Sequence, residues 1–154
     1  MVAKSNPKQQ LSLSVQYADP RLQELLPRPL IRKTVRAALY FPAELTLRFV
    51  DAAEGQELNR DYRGKDYATN VLTFAYTDDE DAEVTQADII LCTDVVQREA
   101  DEQKKSVVEH AQHLIVHGVL HAQGYDHETD DEADEMEALE IEILAGLGLE
   151  NPYQ

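Results

Sequence analysis

Residues 106–127 read SVVEHAQHLIVHGVLHAQGYDH. Ser106 with Glu109 three residues later is a capping box that opens a helix. Gly124 should end it, because glycine tolerates the left-handed conformation that reverses the chain. Val107, Ala111, Leu114, Ile115, Val116, Val119 and Leu120 make this helix apolar on nearly every side, so it is expected to be buried. All five histidines of the chain fall here: His110, His113, His117, His121 and His127. At about 100° per residue the first four form one stripe. Buried imidazoles need a hydrogen-bond partner or a metal. For one histidine on an apolar face a partnered core ring is the ordinary outcome; five in one segment point further.

Histidines four residues apart place two rings one turn apart on one face, the spacing a single zinc ion needs. His113 and His121 lie roughly 12 Å apart along the axis, too far to share an ion. A third ligand must come from beyond the helix, and His127 follows Gly124 by three residues. His117, His121 and His127 thus stand at i, i+4 and i+10. Three neutral ligands leave a fourth position for water, the arrangement of a catalytic zinc. A structural zinc would be closed by four ligands, often thiolates, and Cys92 is the one cysteine. Imidazole sites also accept other divalent transition metals. The metzincin protease pattern H-E-x-x-H-x-x-G-x-x-H shares the spacing, but takes its general base from a Glu at i+1. Here that position is Gly118. Peptide hydrolysis would need a base from elsewhere, such as Asp126 or Glu128. The same two acids are candidates to orient the imidazoles.

Around this segment the pattern is mixed. Leu11, Leu13 and Val15 alternate with polar residues, so 11–17 is a strand. A helix is expected over 29–40, with Pro29 in its first turn and Pro42 stopping it. Leu45, Leu47 and Phe49 mark a second strand. Asp51 and Glu54 cap a helix over 52–62 that Gly64 ends. Residues 71–76 and 87–92 read as strands, and 77–83 as an acidic turn. Thr93 or Asp94 opens a helix to Lys104–Lys105. Thr129 and Glu132 form a capping box for a helix to Gly146, with Met136, Leu139, Ile143 and Leu147 packing inward. The fold class expected is α+β: one domain, a roughly four-stranded mixed sheet and about five helices, with the metal site on the histidine helix and the turn after it. At 154 residues and 43% hydrophobic the chain suits one domain over 11–154, preceded by a polar tail over 1–10.

Charge is unevenly spread. Residues 1–65 carry 11 Lys/Arg against 7 Asp/Glu, while residues 106–154 carry none against 12. The total of -16 argues against indiscriminate polyanion binding but leaves room for a basic patch in the first half. Arg28, Arg32 and Arg36 recur every four residues beside Lys33; a solvated helix face is the plainer reading of them, a ridge tracking RNA the sharper one. Arg60, Arg63 and Lys65 add to the patch. Tyr62, Tyr67 and Tyr76 fit core and surface equally, so no stacking platform is evident. The nine acids across Glu128–Glu142 read as a solvated helix face. No apolar window is long enough to cross a membrane, and the polar start lacks a secretory h-region. With one cysteine, a reducing cytoplasm is the expected setting.

HGVLHAQGYDH over 117–127 resembles the signature H-G-x-L-H-L-x-G-Y-D-H of the YbeY family of bacterial endoribonucleases. Glu57–Asp66, ELNRDYRGKD, is similar to that family's L-N-x-x-Y-R-x-K-D block. Thr69–Phe74, TNVLTF, resembles T-N-V-L-S-F. Asp88–Asp94, DIILCTD, resembles D-I-x-I-C-x-D, and Asp131–Glu137 the acidic start of its last helix. The blocks cover most of 55–142 in the family's order. Ala68, Thr73, Ala75, Ala87 and the pair Ala122-Gln123 depart from the usual residues, and none of these is a proposed ligand. The resemblance implies one zinc held by His117, His121 and His127, with Arg63 as the catalytic arginine facing it. It implies cleavage of single-stranded RNA in small-subunit ribosomal RNA maturation and ribosome quality control, with the small subunit and the GTPase Era as partners and no DNA substrate. The other readings open at this point are a metalloprotease and a non-catalytic, metal-stabilised ribosome-assembly factor.

Overall fold

The computed structural model describes residues 10–76, 84–126 and 128–153. The expected tail up to residue 9, the acidic run Thr77–Glu83 and His127 lie outside the described residues. Four strands and five α-helices follow in order: β1 (Leu11–Tyr17), α1 (Arg28–Ala37), β2 (Ala43–Val50), α2 (Ala52–Arg63), β3 (Val71–Ala75), β4 (Thr85–Cys92), α3 (Thr93–Glu102), α4 (Val107–Ala122) and α5 (Asp130–Gly146). The sheet order is β1-β2-β4-β3, with the first two pairings parallel and β3 antiparallel to β4. The α+β class and the mixed four-stranded sheet expected from the sequence are what the chain forms.

Register explains the two faces. Leu13, Leu45 and Ala87 align across the sheet, as do Val15, Leu47 and Ile89, and Tyr17, Phe49 and Leu91. These rows share one face, because side chains alternate along a strand. They form the main core with Ile31 and Val35 of α1, Ile115 and Val119 of α4, and Met136 of α5. Leu72, Ile90 and Cys92 point to the other face, where they meet Val50, Val95 and Leu58 of α2. Cys92 is fully buried there, and burial pushes its thiol pKa up, so it behaves as a small hydrophobe.

Several ends differ from the sequence pattern. A 3-10 turn at Pro20–Leu22, capped by the side chain of Asp19, was not legible. Helix α1 ends at Ala37, short of Tyr40, because a distant amide takes over its last groups. Gln123 Oε1 accepts from the backbone N–H of Tyr40 (2.7 Å) and Phe41 (3.2 Å), while its Nε2 donates to the Ala38 carbonyl (2.8 Å). Both β2 and β4 begin two residues earlier than the apolar runs suggest. At the other end of the histidine helix, Gly124 does adopt the left-handed conformation, with φ of 100°.

Helix α4 reaches the sheet through Gly118. A Cβ there would lie 2.9 Å from Ile89 Cγ2, 3.4 Å from Thr73 Oγ1 and 3.5 Å from Val71 Cγ2. The position that carries the protease base in the metzincin pattern is therefore a point of close helix–sheet approach, where a side chain would collide with Ile89. We expect Gly118→Ala to destabilise the protein by about 1–2 kcal/mol, overpacking against fully buried Ile89 outweighing the helix-propensity gain of about 1 kcal/mol. Calorimetry should show a fall in Tm of several degrees; a rise would mean that the interface yields.

Candidate functional site

The site is built where the C-terminal half of α4 faces the edge strand β3. His117 and His121, one turn apart, place their ring centroids 4.7 Å apart at 77°. Both line a pocket of about 420 Å³ with Arg63, Asn70, Val71, Thr73, Asp126 and Glu128. The sequence-derived pair is thus assembled, and Arg63 stands in the same pocket although 54 residues separate it from His117.

Arg63 arrives there through local structure. Asp51 caps α2 by accepting from the Glu54 N–H at 2.9 Å. Gly64, with φ of 71°, ends the helix directly after Arg63. The loop that follows is tied back by buried Asn59, whose Nδ2 donates to the Tyr67 carbonyl at 2.7 Å. Asn70 closes the loop: its Oδ1 accepts from the Val71 N–H, its Nδ2 donates to Glu99 Oε1, and its carbonyl accepts from the Cys92 N–H. The blocks around Asn59 and Asn70 therefore act as scaffolding that sets Arg63 against the histidine helix.

The histidine stripe divides its labour. His110, 3% exposed, places Nε2 at 2.9 Å from Glu99 Oε1, and burial pushes its pKa down against the pull of that carboxylate. For His110 the plain reading, a partnered core ring, is the right one. His113 and His117 converge on one carboxylate oxygen: Glu140 Oε1 lies 3.2 Å from His113 Nε2 and 2.9 Å from His117 Nδ1. The other oxygen, Oε2, accepts from the Tyr153 hydroxyl at 2.6 Å. Glu140 is 1% exposed. Burial alone would raise its pKa, but the hydrogen bonds from His113, His117 and Tyr153 prevail and hold it at about 2. An ionised carboxylate only accepts, so His117 Nδ1 donates to it, and in the neutral ring that leaves Nε2 as the lone-pair nitrogen. This is the arrangement in which a carboxylate fixes the tautomer and orientation of a metal-binding imidazole.

Sequence reasoning had offered Asp126 and Glu128 for that orienting role. Both line the pocket, and a further carboxylate, on His117, comes from α5, where the sequence pattern places it among the acids of a solvated face. Its phase could have revealed it: Glu140 follows Met136 by four residues and precedes Ile143 by three, in the apolar stripe. Tyr153, close to the C-terminus, carried no comparable signal. Among the described residues no three His, Cys, Asp or Glu side chains form a complete metal cage. The donor set still fits a divalent transition metal: two imidazoles on one helix face, one of them held by a buried anion, in a polar pocket. The basic ridge divides too. Arg28 is committed to the fold, donating to the Val15 carbonyl and lying 4.9 Å over the Tyr17 ring, while Arg32, Lys33 and Arg36 are exposed.

Comparison with known proteins places the chain in a family. The family described as Endoribonuclease YbeY matches residues 5–148. A Janthinobacterium sp. (strain Marseille) protein named Endoribonuclease YbeY is 75% identical over 146 residues, covering 95% of this chain and 96% of the relative. One from Herminiimonas arsenicoxydans, of the same name, is 72% identical over 148 residues, covering 93% and 95%. A Thermotoga maritima protein solved in solution shares the fold, with a TM-score of 0.55 at 24% identity over 88% of this chain and 91% of that one.

Removing the buried carboxylate should be costly with or without a metal. Glu140→Ala leaves two histidines and a tyrosine facing an unfilled, unpaired space, and we expect a loss of about 3 kcal/mol. Urea denaturation checks this; a change below about 0.5 kcal/mol would mean that the carboxylate is effectively at the surface.

Proposed function

This chain belongs to the YbeY family of endoribonucleases, and we propose from that premise that it is a zinc-dependent hydrolase of single-stranded RNA, cutting at the pocket between α4 and β3. The observation that carries the reading is the meeting of His117, His121 and Arg63 in one pocket, with His117 held by an ionised, buried Glu140. In this reading His117 and His121 hold the zinc together with His127. The bound ion supplies Lewis-acid stabilisation of a phosphate and a lowered pKa for coordinated water.

The chain's own groups do the rest. Glu140 keeps the His117 ring in one tautomer, so that its Nε2 faces the ion without reorganisation. Arg63 offers a planar fork of donors that never deprotonates, matched to the two non-bridging oxygens of a phosphodiester. Its charge counters the negative charge that develops as the phosphorus becomes five-coordinate. Gly118 leaves no space for the general base of a metzincin, which weighs against peptide hydrolysis. The biological substrate in this reading is precursor ribosomal RNA, with processing at the small-subunit 3′ end and ribosome quality control in the bacterial cytoplasm. The partners are the small subunit and the GTPase Era. That finer assignment is supported by the resemblance of the sequence blocks to the family.

We expect purified protein to contain about one zinc per chain and to cut single-stranded RNA but not casein, with chelator abolishing cleavage. His117→Ala should lose the metal and the activity together. Arg63→Ala should keep the metal and lose activity by roughly 10²–10³-fold, the effect of removing one charge-stabilising donor. Elemental analysis beside a cleavage assay decides. Undiminished cleavage by Arg63→Ala, or by metal-free protein, would overturn the mechanism. Inactive protein whose Tm falls on chelation would favour the assembly-factor reading.

A further inference from the structure

On the far face of β3 lies a second cavity, of about 690 Å³. One wall is α2, which presents Glu54, Leu58 and Tyr62 at successive four-residue steps, a single helix face. The floor is the sheet, with Phe74, Asp88 and Ile90. Tyr76 stands at the end of β3. Tyr62 is 70% and Tyr76 64% exposed, the two most exposed aromatic rings among the described residues. Both are held in place. Tyr62 meets Phe74 edge-on, with centroids 5.2 Å apart, and the Tyr76 hydroxyl donates to Asp88 in a short hydrogen bond.

Two residues, Arg63 and Thr73, line both this cavity and the histidine pocket. The two are thus parts of one groove that passes around the edge strand. Formal charge differs along it. In the aromatic part Arg48 is committed to Glu54 at 2.8 Å and Asp88 accepts from Tyr76, so apart from Arg63 the described lining offers no uncommitted cation. Such a lining suits an uncharged aromatic ring better than a phosphate. At the junction Arg63 supplies the cation a phosphate needs.

We propose that this aromatic cavity is the base-binding part of the RNA track: an unpaired nucleobase next to the phosphate at Arg63 stacks on Tyr62 and Tyr76. The proposal rests on the ribonuclease reading and adds a cause for strand preference. Every base has a π-face, so stacking takes any sequence, but a base in a duplex is already stacked on its neighbours and cannot enter. Phe74, wedged behind Tyr62, keeps the ring from collapsing onto the sheet. The phenol of Tyr76 is turned to Asp88, which fixes its ring plane before RNA arrives.

The test uses the zinc-loaded full chain and a single-stranded RNA carrying 2-aminopurine, whose fluorescence is quenched when the base stacks. Tyr62→Leu and Tyr76→Leu should each raise KM for single-stranded RNA roughly tenfold, change kcat less than twofold and reduce quenching. Tyr62→Phe should behave as wild type, and Tyr76→Phe, which keeps the ring but loses the bond to Asp88 that sets its plane, should raise KM by less than Tyr76→Leu does; the difference separates stacking from hydrogen bonding. The exposed positions should leave Tm within a degree or two in all four. If wild-type protein cleaves the RNA and the leucine variants match it in KM and quenching, the base site is wrong and the ribonuclease reading stands. If wild-type protein neither binds nor cleaves the RNA, both fall.

Discussion

A carboxylate buried between two helices sets the terms for this structure. Glu140 cannot remain ionised inside α4 and α5 unless several donors meet it. His113, His117 and the Tyr153 hydroxyl do so. The same bonds that make burial tolerable fix the rotation of the His117 ring, and with it the direction of the nitrogen that faces the pocket. Packing and chemistry therefore meet in one side chain. The helix that carries the ring is itself fixed by Gly118, where backbone meets sheet with no side chain between. Placement of the pocket follows from these two contacts, one on each side of α4.

The edge position of β3 is the second element of the design. An edge strand leaves its flank open. Here one face of that strand meets α4, and the other faces the cavity beside α2. A chain molecule running past it can touch both sides of the sheet at once. Arg63 sits at the crossing because α2 ends there, terminated by Gly64 and pinned through Asn59. The uneven charge of the sequence acquires a geometry: the acids of α5 mostly face solvent, while the arginine of the pocket is contributed from the basic first half.

Much of this was legible in sequence. Strand β1 was read residue for residue, since strict alternation leaves one register. Gly124 was identified as a left-handed turn, because no other residue type reverses a helix so cheaply. The His117–His121 pair followed from helical spacing alone. What escaped was long-range. The end of α1 depends on Gln123, 83 residues from the groups it binds, and no local signal announces a partner at that separation. Glu140 was hidden by its neighbours: in a run of acids, one inward-facing member does not stand out unless its phase is counted. Tyr62 and Tyr76 carried no periodic signature of exposure, and only their position beside the histidine pocket gives them meaning. Asn59 and Asn70, which the sequence shows only as members of motif blocks, also tie down the loop between Arg63 and β3.

The central claim is that Glu140 commits one nitrogen of His117 so that the other can hold a metal. A crystal structure with anomalous diffraction recorded on both sides of the zinc absorption edge tests it most directly. The account predicts one zinc bonded to Nε2 of His117, to His121 and to His127, with a solvent-filled position facing Arg63 and the Nδ1 contact to Glu140 intact. Zinc bound through Nδ1, a fourth protein ligand filling the open position, or no zinc-edge signal at these rings would contradict it.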